Sequence, residues 1–342
     1  MSTPGETEPN AVHRVGFIGL GNVGAQLAGS LLRNGFDLVV HDLNREAAAS
    51  LLANGATWAD SSRELAEASD LVITCLPSPA SCSEVMEGAG GVLEGLSPGT
   101  MWLEMSTTDA QEVVRMGALV EQRGAIALDA PVSGGCHRAA TGNIAVFVGG
   151  PRAAFERALP ALGALGRRIL HTGELGSASS IKVVTNYLAS VHLVALGEAL
   201  MAAKRAGMDL ATAFEAIRVS SGNSFVHETE SQVILSGSYN VNFTMDLVMK
   251  DLGLFQSLAE HGEVPTQIAP LVQEIFADGQ ERYGARAWST MIVKRLEDAC
   301  GTDLRADGFP EELIDDEPEI PGLEVHPRGA GGSAHPSQRT AP

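Results

Sequence analysis

The tightest constraint on this chain is a short run near its start. Residues 15–18 are apolar and lead directly into Gly19-Leu20-Gly21-Asn22-Val23-Gly24, after which residues 25–33 have helix-compatible spacing. A strand that turns into a helix over three glycines needs the first for the turn, the second for close approach of an outside group, and the third for helix–strand packing. The helix start also presents unpaired N–H groups and the positive end of its dipole. These six residues are therefore read as a loop that cradles the pyrophosphate of a dinucleotide. A glycine pattern alone is a weak signal, but the strand before it and the helix after it are the context it requires.

The rest of the chain divides by pattern. Short apolar strands are predicted at residues 15–18, 38–41, 71–75, 101–104, 125–130, 145–148 and 168–170, with helix-like stretches between many of them. Such alternation predicts an α/β domain, residues 13–175, with a doubly wound, mostly parallel Rossmann sheet covered by helices on both faces. After Gly176 the strand signal stops. Residues 179–206 read as one long interdomain helix closed by Gly207, followed by helices at 210–219, 249–260 and 265–283. Residues 176–308 are thus expected to form an all-helical domain, and a length of 342 residues suits two domains. The long helix is apolar around its circumference, with Val191, Leu193, Val194, Leu196, Ala199 and Leu200, and is expected to be buried, in part between subunits.

A formal charge of −19 argues against nucleic-acid partners and anionic membrane surfaces. No uninterrupted apolar run approaches the roughly 18 residues that span a bilayer. Residues 1–12 are polar and have no signal-peptide pattern, so a disordered N-terminus and a cytoplasmic location are expected. The four cysteines are scattered and the nine histidines show no ligand spacing, so neither a disulfide framework nor a metal site is expected. Residues 309–342 are acidic and then rich in Gly, Pro and Ser, which predicts a disordered tail.

Asp42 closes the second strand 18 residues after Gly24, near the spacing of about 20 at which an acid meets the adenosine ribose. A carboxylate there favours NAD over NADP, although Arg45 is close enough in sequence to meet a 2′-phosphate. Three stretches could converge at the strand C-termini: residues 106–108, 129–135 and 176–186. Ser133-Gly134-Gly135 leaves backbone N–H groups free after a strand, which suits either a carboxylate cradle or a plain glycine turn. Lys182 and Asn186, spaced i, i+4, project from one helix face. The helix terminus and burial in a cleft would both lower the Lys182 pKa toward the range of an acid/base catalyst, the alternative being a solvated surface charge.

Taken in order, Gly19-x-Gly21-x-x-Gly24, residues 129–135, Gly176 with Lys182 and Asn186, and Lys250-Asp251 resemble the β-hydroxyacid dehydrogenase family over residues 15–299. That family includes 3-hydroxyisobutyrate dehydrogenases and tartronate and succinic semialdehyde reductases. The resemblance implies that Lys182 is the acid/base and Asn186 its partner, and that Ser133, Gly134 and Gly135 bind the substrate carboxylate. It also implies that Thr107 and Lys250 lie near the nicotinamide and its ribose, that Leu76 and Pro77 border the cofactor, and that the protein is a homodimer or homotetramer acting on a small hydroxy acid. Three positions depart from the family pattern: Ala178, Thr185, and residues 285–289. They bear on substrate choice more than on hydride chemistry. The competing readings are 6-phosphogluconate dehydrogenase, an imine reductase, a non-catalytic dinucleotide-binding module and a structural oligomerisation protein. His171 is read as a structural histidine, and Trp288 and Phe225 as core residues.

Overall fold

The structure is a computed structural model that describes residues 12–327. The disorder expected for residues 1–11 and 328–342 falls outside the described residues. Val12, assigned to the same N-terminal segment, is buried at the foot of the first strand.

The first half runs β1 (Arg14–Ile18), α1 (Gly24–Arg33), β2 (Asp37–His41), α2 (Ala49–Ala53), β3 (Thr57–Trp58), α3 (Ser62–Glu67), β4 (Leu71–Thr74), α4 (Pro79–Glu87), α5 (Val92–Gly95) and β5 (Met101–Glu104). It continues through α6 (Ala110–Gln122), β6 (Ile126–Asp129), β7 (Val132–Ser133), α7 (Gly135–Ala140), β8 (Ala145–Gly149), α8 (Arg152–Leu165) and β9 (Arg168–Gly173). The second half contains α9 (Ser177–Arg205), α10 (Leu210–Arg218), α11 (Phe225–Ser236), α12 (Met245–His261), α13 (Ile268–Tyr283) and α14 (Lys294–Cys300), and the chain returns to the sheet as β10 (Leu323–Glu324).

The strand order is β10-β9-β8-β6-β5-β4-β1-β2-β3, with β7 paired to β8. From β3 to β6 every pairing is parallel, and the order 3-2-1-4-5-6 places a topological switch point between β1 and β4, at their C-terminal ends. Beyond β6 the direction reverses, because β8 runs antiparallel to β6 while β9 and β10 follow β8.

Strand periodicity sorts the core into two layers. Val15, Phe17, Leu71, Ile73 and Leu103 face α1 and α8, meeting Leu27, Leu31, Phe155 and Leu162. Ile18, Val72 and Trp102 face the other way, onto Leu65, Met86, Met116 and Val120. Each such side chain contributes about 1.5–3 kcal/mol on burial. The helical half has its own core, which includes Leu196, Leu200, Phe214, Ile234, Leu252 and Phe276.

Helix α9 is long and apolar enough to cross a bilayer, but it is the central post of the helical domain, packed against α10, α11, α12, α13 and the sheet. Its burial is incomplete, and Leu188 is 45% exposed. Helix α12 begins four residues earlier than expected. Its first turn is braced by Met245 N–H to Ala287 O, Asp246 N–H to Ala285 O and the Thr244–Trp288 bridge. Helix α13 begins three residues later, at Ile268, and places Pro270 in its first turn, where a missing N–H costs little.

The predicted disordered tail is corrected for residues 309–327. Phe309 packs edge-on against Phe214, and Leu323–Glu324 pairs in parallel with β9. Gly322 crosses so close to Gly166 that a Cβ there would lie 1.9 Å from its carbonyl oxygen. The composition argument failed because this segment is held by main-chain pairing and by arginines of the sheet domain, not by a core of its own. Phe225 is corrected too: it is 47% exposed, with the Arg138 guanidinium 5.1 Å from its ring centre.

Candidate active site

The glycine loop sits at the switch point, and its three glycines are distinguishable by what surrounds them. Gly19 has φ +96°, and a Cβ on it would lie 2.3 Å from the Cys75 carbonyl at the end of β4. A Cβ on Gly24 would lie 2.0 Å from Gly19 O, so α1 can pack here only as glycine. Around Gly21 nothing lies within 4 Å of the Cβ position, which leaves that backbone open to an outside group. Turn, packing and open approach are the three requirements of a dinucleotide pyrophosphate, and the residues present fit one.

Asp42 does more than wait for a ribose. Its Oδ2 accepts from Leu20 N–H at 2.7 Å and its Oδ1 from Asn44 N–H at 2.8 Å, so the carboxylate ties β2 to the glycine loop. Two carboxylate oxygens offer about four acceptor sites, which leaves room for a further donor. Arg45 lies over Trp58, 5.2 Å from the ring centre, with His41 tilted against the same ring. Asn22 and Val23 complete the loop, and Val23 O accepts from Gln26 and Leu27 as α1 begins. At the end of β4, Leu76 N–H donates to Ser106 Oγ at 2.8 Å; Leu76 is half-buried and Pro77 exposed. Beneath them Glu104 is buried, receiving Thr74 Oγ1 and Ser106 N–H, and burial pushes its carboxyl pKa up.

The start of α9 is fixed by a residue that the sequence offered only as part of a motif. Asp129, fully buried at the end of β6, accepts Gly176 N–H at 2.9 Å, Ser179 N–H at 2.7 Å and Ser179 Oγ at 2.8 Å. A helix N-terminus leaves its first N–H groups without partners, and a carboxylate there answers both the groups and the dipole.

One turn further on, Lys182 is only 7% exposed. Its Nζ donates to Asn186 Oδ1 at 2.6 Å, and Asn186 Nδ2 donates to Asp251 Oδ2 at 2.6 Å. Lys250 Nζ closes the row, 2.9 Å from Asp251 Oδ1 and donating to Thr107 O at 2.5 Å. Lys182, Asn186, Asp251, Lys250 and Thr107 thus form one chain of contacts across both domains. The Lys182 ammonium is pushed down to about 8, first by burial; Asp251 opposes the shift and Lys250 adds to it. The helix terminus invoked from sequence lies more than a turn from Lys182, too far to contribute much, and Asp129 occupies it.

Ser133 pairs with Ala145 on β8, and Gly134 and Gly135 follow at φ +137° and +86°, in the region that favours glycine. Helix α7 opens at once from Gly135. No hydrogen bond joins these three residues directly to Lys182. The other motif departures have local roles. Thr185 Oγ1 donates back to Lys182 O, Ala178 is buried, and residues 285–289 brace the start of α12. His171 Nε2 donates to Gly150 O at 2.9 Å and stays structural. Asp129, Glu104 and Asp251 are the site residues whose individual roles the sequence did not reveal.

Comparison with known proteins agrees with this geometry. Residues 14–173 match the family described as the NAD-binding domain of 6-phosphogluconate dehydrogenase, and residues 176–296 the one described as NAD-binding of NADP-dependent 3-hydroxyisobutyrate dehydrogenase. The chain is 33% identical to the 2-(hydroxymethyl)glutarate dehydrogenase of Eubacterium barkeri, over 85% of this chain and 97% of that one. It is 34% identical to the NAD-dependent L-serine dehydrogenase of Pseudomonas aeruginosa, over 77% and 91%. The crystal structure of a 3-hydroxyisobutyrate dehydrogenase from Salmonella typhimurium superimposes with a TM-score of 0.76 at 31% identity, covering 82% of this chain and 99% of that one. Sequence, fold and site agree that this chain belongs to the 3-hydroxyisobutyrate dehydrogenase family of NAD(P)-dependent β-hydroxyacid dehydrogenases.

Proposed function

We propose that the protein oxidises a small 3-hydroxy acid, or reduces its semialdehyde, with Lys182 as the acid/base. The observation that carries this is the buried Lys182–Asn186–Asp251 row. With its pKa near 8, roughly a quarter of Lys182 is neutral at pH 7.5, against about 0.1% of an ordinary lysine. Asn186 accepts one N–H of Lys182, and Asp251 fixes the amide so that its oxygen faces the amine. This leaves the remaining positions on Nζ for a substrate hydroxyl.

In the oxidative direction Lys182 Nζ takes the hydroxyl proton as the carbinol C–H bond breaks, and the C–O bond becomes a carbonyl. A bound nicotinamide supplies the acceptor for the hydride. In reverse, protonated Lys182 returns the proton to the carbonyl oxygen. Ser133, Gly134 and Gly135 anchor the substrate carboxylate through backbone N–H groups and the Ser133 hydroxyl. Lys250 and Thr107 line the nicotinamide side, with Leu76 and Pro77 beside them.

The substrates named for the relatives, 2-(hydroxymethyl)glutarate, 3-hydroxyisobutyrate and L-serine, share a hydroxymethyl group on the carbon bearing a carboxylate. That unit is the substrate class we assign. Asp42 favours NAD over NADP, and the apolar stripe on α9, half-buried at Ile181, Val184 and Val191 and exposed at Leu188, supports a homodimer or homotetramer. Turnover of these three acids with NAD and NADP tests the reading, alongside Lys182→Ala. That variant is expected to lose about 10²-fold or more in kcat while still binding cofactor. Near-normal turnover by the variant would reject the acid/base role.

A further inference from the structure

The segment after α14 crosses from the helical domain to the far edge of the sheet, and on the way it meets the helix that follows the Ser133–Gly135 turn. The family match ends at residue 296, so this strap lies outside it. Asp315 Oδ2 accepts from Thr141 Oγ1 and, at 2.7 Å, from Asn143 Nδ2; the Glu317 carbonyl accepts from the same Nδ2 at 2.9 Å. The Glu317 carboxylate pairs with Arg167 and stands 3.7 Å from Arg138, on α7 itself. Farther along, Glu319 meets Ser30, Arg33 and Asn34 at the end of α1, and Glu324 takes Arg152 in a two-point pair.

Helix α7 has six residues and no side-chain cap at its start. A helix that short is not stable by itself, so its position must come from outside contacts. Ala139 is buried against α1, Arg33 of α1 donates to Ala140 O, and Arg138 lies over Phe225 and near Glu317; just past its C-terminal end, Thr141 and Asn143 are fixed by Asp315. Its other end is the glycine turn, where φ values of +137° and +86° leave the backbone free of Cβ constraints. A turn of that kind takes its orientation from the elements on either side, here β7 and α7.

We propose that Asp315 is a positioning residue for the substrate: by holding the C-terminal end of α7 it sets the orientation of the Ser133-Gly134-Gly135 backbone that receives the substrate carboxylate. The inference rests on reading those three residues as the carboxylate cradle. Its effect falls on the hydroxy acid and spares the dinucleotide, whose loop is tied to β2 through Asp42.

The test uses the full-length protein with whichever 3-hydroxy acid turns over. Asp315→Ala is expected to raise KM for the hydroxy acid about tenfold, with KM for the dinucleotide and kcat within twofold, since a small misplacement weakens one subsite only. Asp315→Asn, which keeps one acceptor oxygen, is expected to recover most of that loss; should the alanine variant not fold, Asp315→Asn still carries a rise of about threefold. An unchanged hydroxy-acid KM in Asp315→Ala, or a fall in kcat with a parallel rise in both KM values, overturns the inference. Ser133→Ala separates the two levels. If it leaves the hydroxy-acid KM unchanged, the cradle falls and this inference with it, whereas a raised KM in Ser133→Ala beside a normal one in Asp315→Ala overturns the positioning role alone.

Discussion

Asp129 and Ser179 are joined twice, through the backbone N–H at 2.7 Å and the hydroxyl at 2.8 Å, with no exposure of the carboxylate to solvent. This contact clamps the last parallel strand to the helix that carries Lys182 three residues later. A Cβ on Gly149 would come within 2.4 Å of Asp129 Oδ1, so the neighbouring strand leaves space for the carboxylate.

Replacing Asp129 by alanine strands three buried donors at the start of α9. The expected loss is about 2–4 kcal/mol in stability, measured as a lower urea midpoint. A fall of about tenfold in kcat should accompany it, because Lys182 loses its fixed origin. A variant with a normal midpoint would mean that α9 is held elsewhere.

The second and third glycines of the loop should separate folding from binding. Gly21→Ala meets nothing in the protein, so its thermal midpoint should match the parent, while dinucleotide affinity drops about tenfold or more as the methyl occupies the approach path. Gly24→Ala instead drives a Cβ to within 2.0 Å of a backbone oxygen and should cost about 1–3 kcal/mol before any ligand is added. Thermal melts with and without NAD distinguish the two, and equal loss of stability in both variants would contradict the assignment.

Much of this architecture was legible because strands and helices leave periodic traces. The short apolar runs of β1, β4 and β5, buried on both faces, the glycines at the first turn and the length of α9 are all properties of contiguous sequence. The roles of Asp129 and Asp251 were not legible, since each depends on a partner far along the chain: Ser179 for the first, Asn186 for the second. The strap was misread for the same reason. Its composition shows that residues 309–327 cannot build a core, yet says nothing of Arg33, Arg138, Arg152 and Arg167 being brought to one face by the sheet. The two-residue strands β7 and β10 are too short to leave a pattern at all.

Acid should release the strap before the sheet it rests on. Burial works against the Asp315 charge, but hydrogen bonds from Thr141 and Asn143 outweigh it and hold the carboxyl below its ordinary pKa. Arg152 does the same for Glu324. Groups with depressed pKa values stabilise the fold above the ordinary carboxylate pKa of about 4, and that contribution is lost as pH falls through the folded value. Hydrogen exchange at Leu323 and Val325, whose N–H groups bond to Arg167 O and Ile169 O, should therefore accelerate between pH 5 and about pH 3 relative to exchange at Phe17. A constant ratio across that range would show that the carboxylates do not hold the strap.

Lys182 should carry a measurable cost in stability. Its folded pKa of about 8 lies below the ordinary 10.5, so between those values the unfolded chain binds more protons and stability rises with pH. Below pH 8 the full penalty applies, about 3 kcal/mol for a shift of this size, and above pH 10.5 it is gone. Lys182→Met keeps the length of the side chain and removes the buried charge, while leaving Asn186 Oδ1 short of one donor at about 1 kcal/mol. The variant should then be more stable than the parent by about 1–2 kcal/mol at pH 7, lose that advantage by pH 10, and turn over no substrate. Urea midpoints at the two pH values decide it: a less stable variant at pH 7 would mean that the ammonium is better solvated in the fold than its burial implies.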